Sequence, residues 1–390
     1  MDLHFLRGLY DNPQGDGYVS VYLDTSPTDN AAEEISLRWQ AAREQLARDG
    51  ADAATLDAAQ LAATERAPGS GRAVFARGGA VRLIGIQPEP PAREMSSYAP
   101  LPHVVPWLAQ RPPRISHVRV AADREGGRVL AVSGVGVEGL PAADDAGSAI
   151  GAVGLTEVTG ESWPVHIARG GGWSHPRFVR STEETWAENA KKIAEAVAVA
   201  ADEVKAAFVV LGGDVRERTM VVDHLTKELR DNVVVVDREV NLDAPAFDEA
   251  AWAEQTWRAA LEARARLDDF RAEMNKPPAE RRAVEGLTDT LTALRDGLVS
   301  DLLLTEDPAW SESATVWVGP APADAATEKD QLTDRGVQNP AQAWAGEALI
   351  RAATGTDAQL HFLRPEQDTP EPGDALRVAA LLRAPAAAAG

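Results

Sequence analysis

Ala207-Phe-Val-Val-Leu-Gly-Gly-Asp214 reads as a complete structural sentence. Five apolar residues in a row, without alternation, suit a short strand buried on both faces. Two glycines then allow a sharp exit, and Asp214 has the side chain that caps a helix N-terminus. A turn of this kind can also bind an anion, but the Asp214 carboxylate would repel one, and capping accounts for it. Upstream, Trp186, Ile193, Val197 and Val204 recur at helical spacing. Downstream, Val222, Leu225 and Leu229 do the same, followed by the strand-like run Val233-Val-Val-Val236. The order is β-α-β-α-β, which predicts a sheet covered by helices and an α/β fold class.

Working outward, the 390 residues exceed what one ordinary core organises. Three domains are expected, each a mixed sheet with helices: 1–113, 114–240 and 241–390. In the first, Tyr18-Val-Ser-Val-Tyr-Leu23 alternates like a strand, Ile35, Trp39, Ala42 and Leu46 mark a helix, and 73–75 with 81–86 form a hairpin turning at Arg77-Gly-Gly79. The proline-rich span Pro88–Pro113 reads as a domain exit. The second domain adds strands at Ile115–Ala121, Arg128–Val132, Ala152–Val158 and Trp163–Ala168. In the third, Trp257, Leu261, Leu267, Phe270 and Met274 form one helical face, and Pro277-Pro278 ends it. Leu287, Leu291, Leu294 and Leu298 form the next helix. Strands are expected at 301–305, 315–318, 359–362 and 377–382, with a helix over Ala341–Ala353.

The totals narrow the chemistry. A hydrophobic content of 44% with 25% charged residues is that of a globular chain. There is no cysteine, which excludes disulfides, thiolate metal sites and cysteine nucleophiles. The seven histidines are scattered without a metal-ligand spacing, and no serine sits in a nucleophile-elbow register. No metal, no cofactor and no catalytic residue is therefore assigned. Gly134-Val-Gly-Val-Glu-Gly139 matches the letters of a dinucleotide loop, but Leu140-Pro141 follows where a helix would have to open. No segment reads as a signal peptide or a membrane span, so a cytoplasmic location without membrane contact is expected.

The formal net charge is -21, and a surface so acidic repels the phosphate backbone. One stretch departs from that balance. Between Ser162 and Thr182 there is no Asp or Glu, and Arg169, Arg177 and Arg180 frame Gly170, Gly171, Gly172, Trp173, Ser174 and His175. Glycines let a backbone approach a partner closely, arginines suit phosphate oxygens, and an exposed indole can stack on a base. These nine residues are the candidate RNA-binding loop.

Gly171-Gly-Trp-Ser-His-Pro-Arg-Phe-Val-Arg180 resembles the central-domain signature of eukaryotic and archaeal class-one peptide-chain release factors, Gly-Gly-Gln-Ser-x-x-Arg-Phe-x-Arg. Ala207–Asp214 and the segment Ala293-Leu-Arg-Asp-Gly-Leu-Val-Ser-Asp-Leu-Leu-Leu304 are similar to later parts of the same family. The resemblance covers residues 114–383 and extends to bacterial members of the release-factor/Pelota superfamily, including the Balon type of ribosome hibernation factor. It implies a release-factor/Pelota-like architecture.

Trp173 stands where release factors carry the glutamine that helps position the hydrolytic water. Indole offers one N–H donor and no acceptor, so it does not replace that amide. The first domain also lacks the Asn-Ile-Lys-Ser tetrapeptide that reads stop codons. The resemblance therefore implies a non-catalytic binder of the ribosomal A site and its rRNA, acting in hibernation or stress, with elongation factor Tu or another translational GTPase as a further partner. Two alternatives stand beside it. One is a rescue factor that hydrolyses peptidyl-tRNA with water held by Ser174 or His175; the other is a protein-interaction scaffold that no longer meets RNA.

Overall fold

The structure is a computed structural model. It describes the chain apart from residues 11–16, 66–69, 88, 112, 124–125, 135–151, 160–174, 312, 365–375 and 386–390, and leaves the side chains of 152, 175–184, 308 and 311 undescribed. The α/β class holds throughout: helices cover mixed and antiparallel sheets. Two compact units are formed. One draws on Met1–Pro112 and Trp257–Gly390, the other on Pro113–Gly139 and Gly147–Thr256. The first and last segments of the chain thus share a unit.

The first segment opens with α1 (Arg7–Tyr10), β1 (Tyr18–Asp24), α2 (Ala31–Arg48) and α3 (Ala53–Thr64). It continues with β2 (Gly71–Arg77), β3 (Ala80–Gln87), β4 (Met95–Ala99) and α4 (Val105–Gln110). The sheet order is β3-β2-β1-β4, all antiparallel. The period-two pattern of β1 divides its side chains between two cores. Val19, Val21 and Leu23 pack with Trp39, Leu46 and Leu56 of the covering helices. Tyr18 and Tyr22 face the opposite core, with Phe75 and Trp107. The hairpin turns on Gly78 and Gly79, with φ of 58° and 72°, the two left-handed positions of a two-residue turn. Pro88–Pro113 is more than an exit, because it contains β4 and α4. Strand β4 pairs with β1 from Tyr18↔Ala99 to Tyr22↔Met95. Such long-range pairing leaves little trace in local sequence.

The central unit has β5 (His117–Asp123), β6 (Gly126–Val132), β7 (Ala152–Thr159), α5 (His175–Val204) and β8 (Phe208–Gly213). Then follow α6 (Val215–His224), α7 (Lys227–Arg230), β9 (Val233–Asp237) and the start of α8 (Pro245–Met274). The order is β7-β6-β5-β8-β9, antiparallel on the β7 side and parallel from β5 through β8 to β9. Val118, Val120, Val209 and Leu211 meet Ile193 and Val197 of α5 and Val221 of α6 on one face. Phe208, Val210 and Val236 meet Phe247 and Ala251 of α8 on the other. The single helix expected around Val222, Leu225 and Leu229 is two. The backbone extends at Leu225, with ψ of 152°, and Thr226 caps the second piece. The expected strand at 163–168 and most of the dinucleotide-like glycine run lie outside the described residues.

The last segment comprises β10 (Ala283–Glu285), α9 (Leu287–Arg295), β11 (Val299–Thr305), α10 (Pro308–Ser311), β12 (Thr315–Val318) and β13 (Ala325–Ala326). It ends with α11 (Lys329–Thr333), β14 (Ala341–Trp344), α12 (Ala345–Gly355), β15 (Gln359–Leu363) and β16 (Val378–Leu382). A mixed sheet β10-β16-β11-β15 and a small antiparallel sheet β13-β12-β14 result. The helix expected over 341–353 begins only at Ala345. The four preceding residues pair with β12, and that cross-strand pairing overrides the helical preference of alanine. The expected inward face of the long helix is corrected too. Trp257 and Leu261 are 56% and 49% exposed, whereas Ala263 and Phe270 are buried, with Leu267 and Met274 packed alongside. Those four positions follow the helical period, and the two exposed residues fall off their stripe.

Gly85 gives the first test. A Cβ built there would lie 2.3 Å from the Trp107 indole nitrogen, and Trp107 is fully buried. Gly85→Ala is expected to destabilise the protein by about 1–3 kcal/mol through overpacking, read as a lower denaturant midpoint at unchanged slope.

Candidate functional site

The loop proposed from the sequence enters α5. Arg169, Gly170, Gly171, Gly172, Trp173 and Ser174 lie outside the described residues. His175 is the first residue of α5, and Arg177 and Arg180 follow within its opening turns. Further along α5, Ile193 and Val197 are buried against the sheet.

Beside α5, the carboxyl ends of β5 and β8 carry the turn that the opening stretch of sequence predicts. Gly212 and Gly213 serve packing there. A Cβ on Gly212 would come 2.3 Å from the Glu239 carbonyl and 2.6 Å from the Phe247 ring. Gly213 has φ of 133°, and a Cβ there would meet the Ala122 carbonyl at 2.3 Å. The side chain of Asp214 accepts a hydrogen bond of 3.1 Å from the Arg216 amide, which makes it the cap of α6. The turn is a structural joint, as the charge of Asp214 suggests.

Between α5 and α6 a small cleft opens to solvent. Its lining includes Ala122 and Asp123 at the end of β5, Trp186, Asn189 and Ile193 of α5, and Glu217 and Met220 of α6. The Arg216 guanidinium lies 4.8 Å from the centroid of the Trp186 ring, a cation–π contact that ties the first turn of α6 to α5. The cleft's volume of about 10 Å³ has room for no more than a water molecule. Sequence periodicity assigns Trp186 to the core; its half-buried position over the cleft depends on where α6 packs. Among the described residues, no group of three or more His, Asp or Glu is placed to hold a metal ion. No helix among them is long and apolar enough to cross a membrane.

At the other end of β5, His117 is buried with its ring stacked on Phe208, centroids 4.9 Å apart and planes at 5°. Its Nδ1 is 2.9 Å from the Ile115 carbonyl, so that nitrogen carries the hydrogen, and Arg119 Nε donates to Nε2 at 3.3 Å. Arg119 is held in turn by Asp248 of α8 at 2.7 Å. Burial pushes the imidazole pKa down to about 4; the Ile115 carbonyl opposes the change and the Arg119 charge adds to it.

Residues 116–276 match bacterial archaeo-eukaryotic release factor family 2. This segment starts just before β5, contains the Gly-rich stretch and α5, and ends just beyond α8. The central segment is thus release-factor-like. Over a longer span, the chain is 28% identical across 355 residues to an uncharacterized protein of Mycobacterium tuberculosis, found in two strains, covering 88% of both chains. Among solved structures, an archaeal translation termination factor shares 14% identity at a TM-score of 0.23, covering 97% of each chain. Archaeoglobus fulgidus Pelota shares 16% at 0.34, covering 80% of this chain and 79% of that one. Overlaps this shallow transfer no site.

The buried imidazole makes the release-factor-like segment sensitive to acid. A histidine whose folded pKa is depressed stabilises the fold fully above its unfolded value near 6.5, and that stability is lost as pH falls toward 4. At the bottom of the window the loss is about 3 kcal/mol. Urea titrations of wild type and His117→Gln between pH 7 and pH 4 are expected to converge as the pH drops. A constant gap between the two would contradict the assignment. Gly212→Ala is expected to cost about 2 kcal/mol or more by forcing Phe247 and the Glu239 carbonyl aside, measurable in the same assay.

Proposed function

We propose that this protein binds the ribosome as a non-catalytic, release-factor-like factor that occupies the A site in hibernation or stress. The observation that carries the proposal is a coincidence of position. The segment matching a release factor family contains Gly171-Gly-Trp-Ser-His-Pro-Arg-Phe-Val-Arg180, with Trp173 in place of the glutamine of the release-factor signature. The glycines suit close approach to RNA, and Arg169, Arg177 and Arg180 suit phosphates. Trp173 supplies stacking in the place where a water-positioning amide would be needed for hydrolysis. The acidity of the chain as a whole favours contact confined to this loop, with the remaining surface available to a protein partner such as elongation factor Tu or another translational GTPase.

Cosedimentation with 70S ribosomes at low salt tests the reading. Wild type is expected in the ribosomal pellet. Trp173→Ala combined with Arg177→Ala is expected to weaken binding about ten-fold or more, because stacking alone contributes roughly 1–3 kcal/mol per base. Absence of wild type from the pellet contradicts the proposal. Release of labelled peptide from stalled complexes, abolished by His175→Ala, would replace it with peptidyl-tRNA hydrolysis.

A further inference from the structure

Helix α12 is buried along its length from Ala345 to Thr354, yet it carries Glu347 and Arg351 one turn apart. Arg351 is held within the last segment of the chain, its two terminal nitrogens donating to the carbonyls of Gly319 at 2.9 Å and Asp324 at 3.0 Å. Glu347 is not. Among the described residues, its three hydrogen-bond donors come from residues 103–105 of the first segment. Oε1 accepts from His103 Nδ1 at 2.7 Å and from the Val105 amide at 3.1 Å, and Oε2 accepts from the Val104 amide at 2.9 Å. Both side chains of the His103–Glu347 pair are 1% exposed.

The donors are themselves fixed. The His103 amide donates to Ser20 Oγ at 3.0 Å, and its carbonyl accepts from the Tyr22 hydroxyl at 2.6 Å, so the segment is fastened to β1. The Trp344 ring lies 4.4 Å from the imidazole centroid. His103 Nε2 is buried without a hydrogen-bond partner, which suits a lone pair and not a second N–H. The 2.7 Å contact makes Nδ1 the ring's donor toward the Glu347 carboxylate. A buried carboxylate with three donors is stable only while all of them stay; withdrawing the donor segment would leave a bare charge in an apolar core.

We infer that Glu347 is a lock that holds the N-terminal sheet to the C-terminal layers, so that these two parts of the chain move as one rigid body. Two further contacts across the same union agree with this. Met1 and Leu360 exchange backbone hydrogen bonds of 2.6 and 2.8 Å, adding a rung to the edge of β15, and Arg7 pairs with Asp357. Mobility between domains is the ordinary expectation where an interface is small and polar. Here a charge-assisted bond is buried within one continuous core containing Phe75, Trp107, Leu294 and Leu349. The inference does not rest on the ribosome reading.

The chain has no cysteine, so a pair of spin labels can be placed without background. Gln40→Cys on α2 and Asp334→Cys beyond α11 both lie at exposed positions. With Glu347 intact, a single narrow distance distribution is expected. With Glu347→Ala it is expected to broaden at least two-fold. A broad distribution with Glu347 intact, or an unchanged width without it, overturns the lock. Should Glu347→Ala fail to fold, Glu347→Gln is followed by hydrogen exchange. The Val104 and Val105 amides are then expected to exchange at least ten-fold faster while those of β16 hold their rates. Uniform acceleration in both sheets, or none, overturns it equally.

Discussion

Strand β8 is enclosed on both faces and both edges. Helices α5 and α6 cover one face, α8 covers the other, and β5 and β9 pair alongside it in parallel. Every residue from Phe208 to Gly213 is buried. A strand in that position tolerates no polar side chain and no water at its backbone, so it is apolar throughout. At its end there is no room for a Cβ, because the Glu239 carbonyl, Phe247 and the Ala122 carbonyl already fill the space. The rest of the central unit is arranged around this constraint. It sets where α6 begins, and with α6 the cleft and the Arg216–Trp186 contact that link the turn to the helix extending from the Gly-rich loop.

The other unit solves a different problem. Its layers come from opposite ends of the sequence, and hydrophobic area alone joins them without specifying one arrangement. The buried charges add direction. Glu347 accepts only from groups in a fixed geometry, and Arg351 aims its guanidinium at two carbonyls of a turn. Burial lowers the basicity of Arg351 and raises the pKa of the neighbouring Tyr10 and Tyr22 hydroxyls well above the usual phenol range, which is the electrostatic signature of a dry interior. A release-factor-like central segment is thus accompanied by flanking segments that carry their own means of alignment.

The parts of the fold that were legible are those whose signal is local. The alternation of Tyr18–Leu23, the Gly78-Gly79 hairpin, the apolar run Ala207–Leu211 and the capping Asp214 each encode their conformation within a few residues. The parts that were not legible depend on distant partners. Strand β4 exists because β1 offers it an edge, and β14 exists because β12 does. Trp257 and Leu261 fit a helical period but not the stripe that packs. Neither the Glu347–His103 pair nor the Arg119–Asp248 pair has a sequence signal, since their members are 244 and 129 positions apart.

The sequence by itself determined the α/β class, the central strand and its glycine turn, and the cationic Gly-rich stretch that singles out residues 169–180, because backbone propensity, side-chain period and local charge are properties of neighbouring residues. Only the tertiary structure decided that the two ends of the chain share a core, that the buried carboxylate of Glu347 fastens them, and that His117 is neutral against Phe208. Those outcomes depend on desolvation and on which groups meet across space, and both quantities come into being only when the chain has folded.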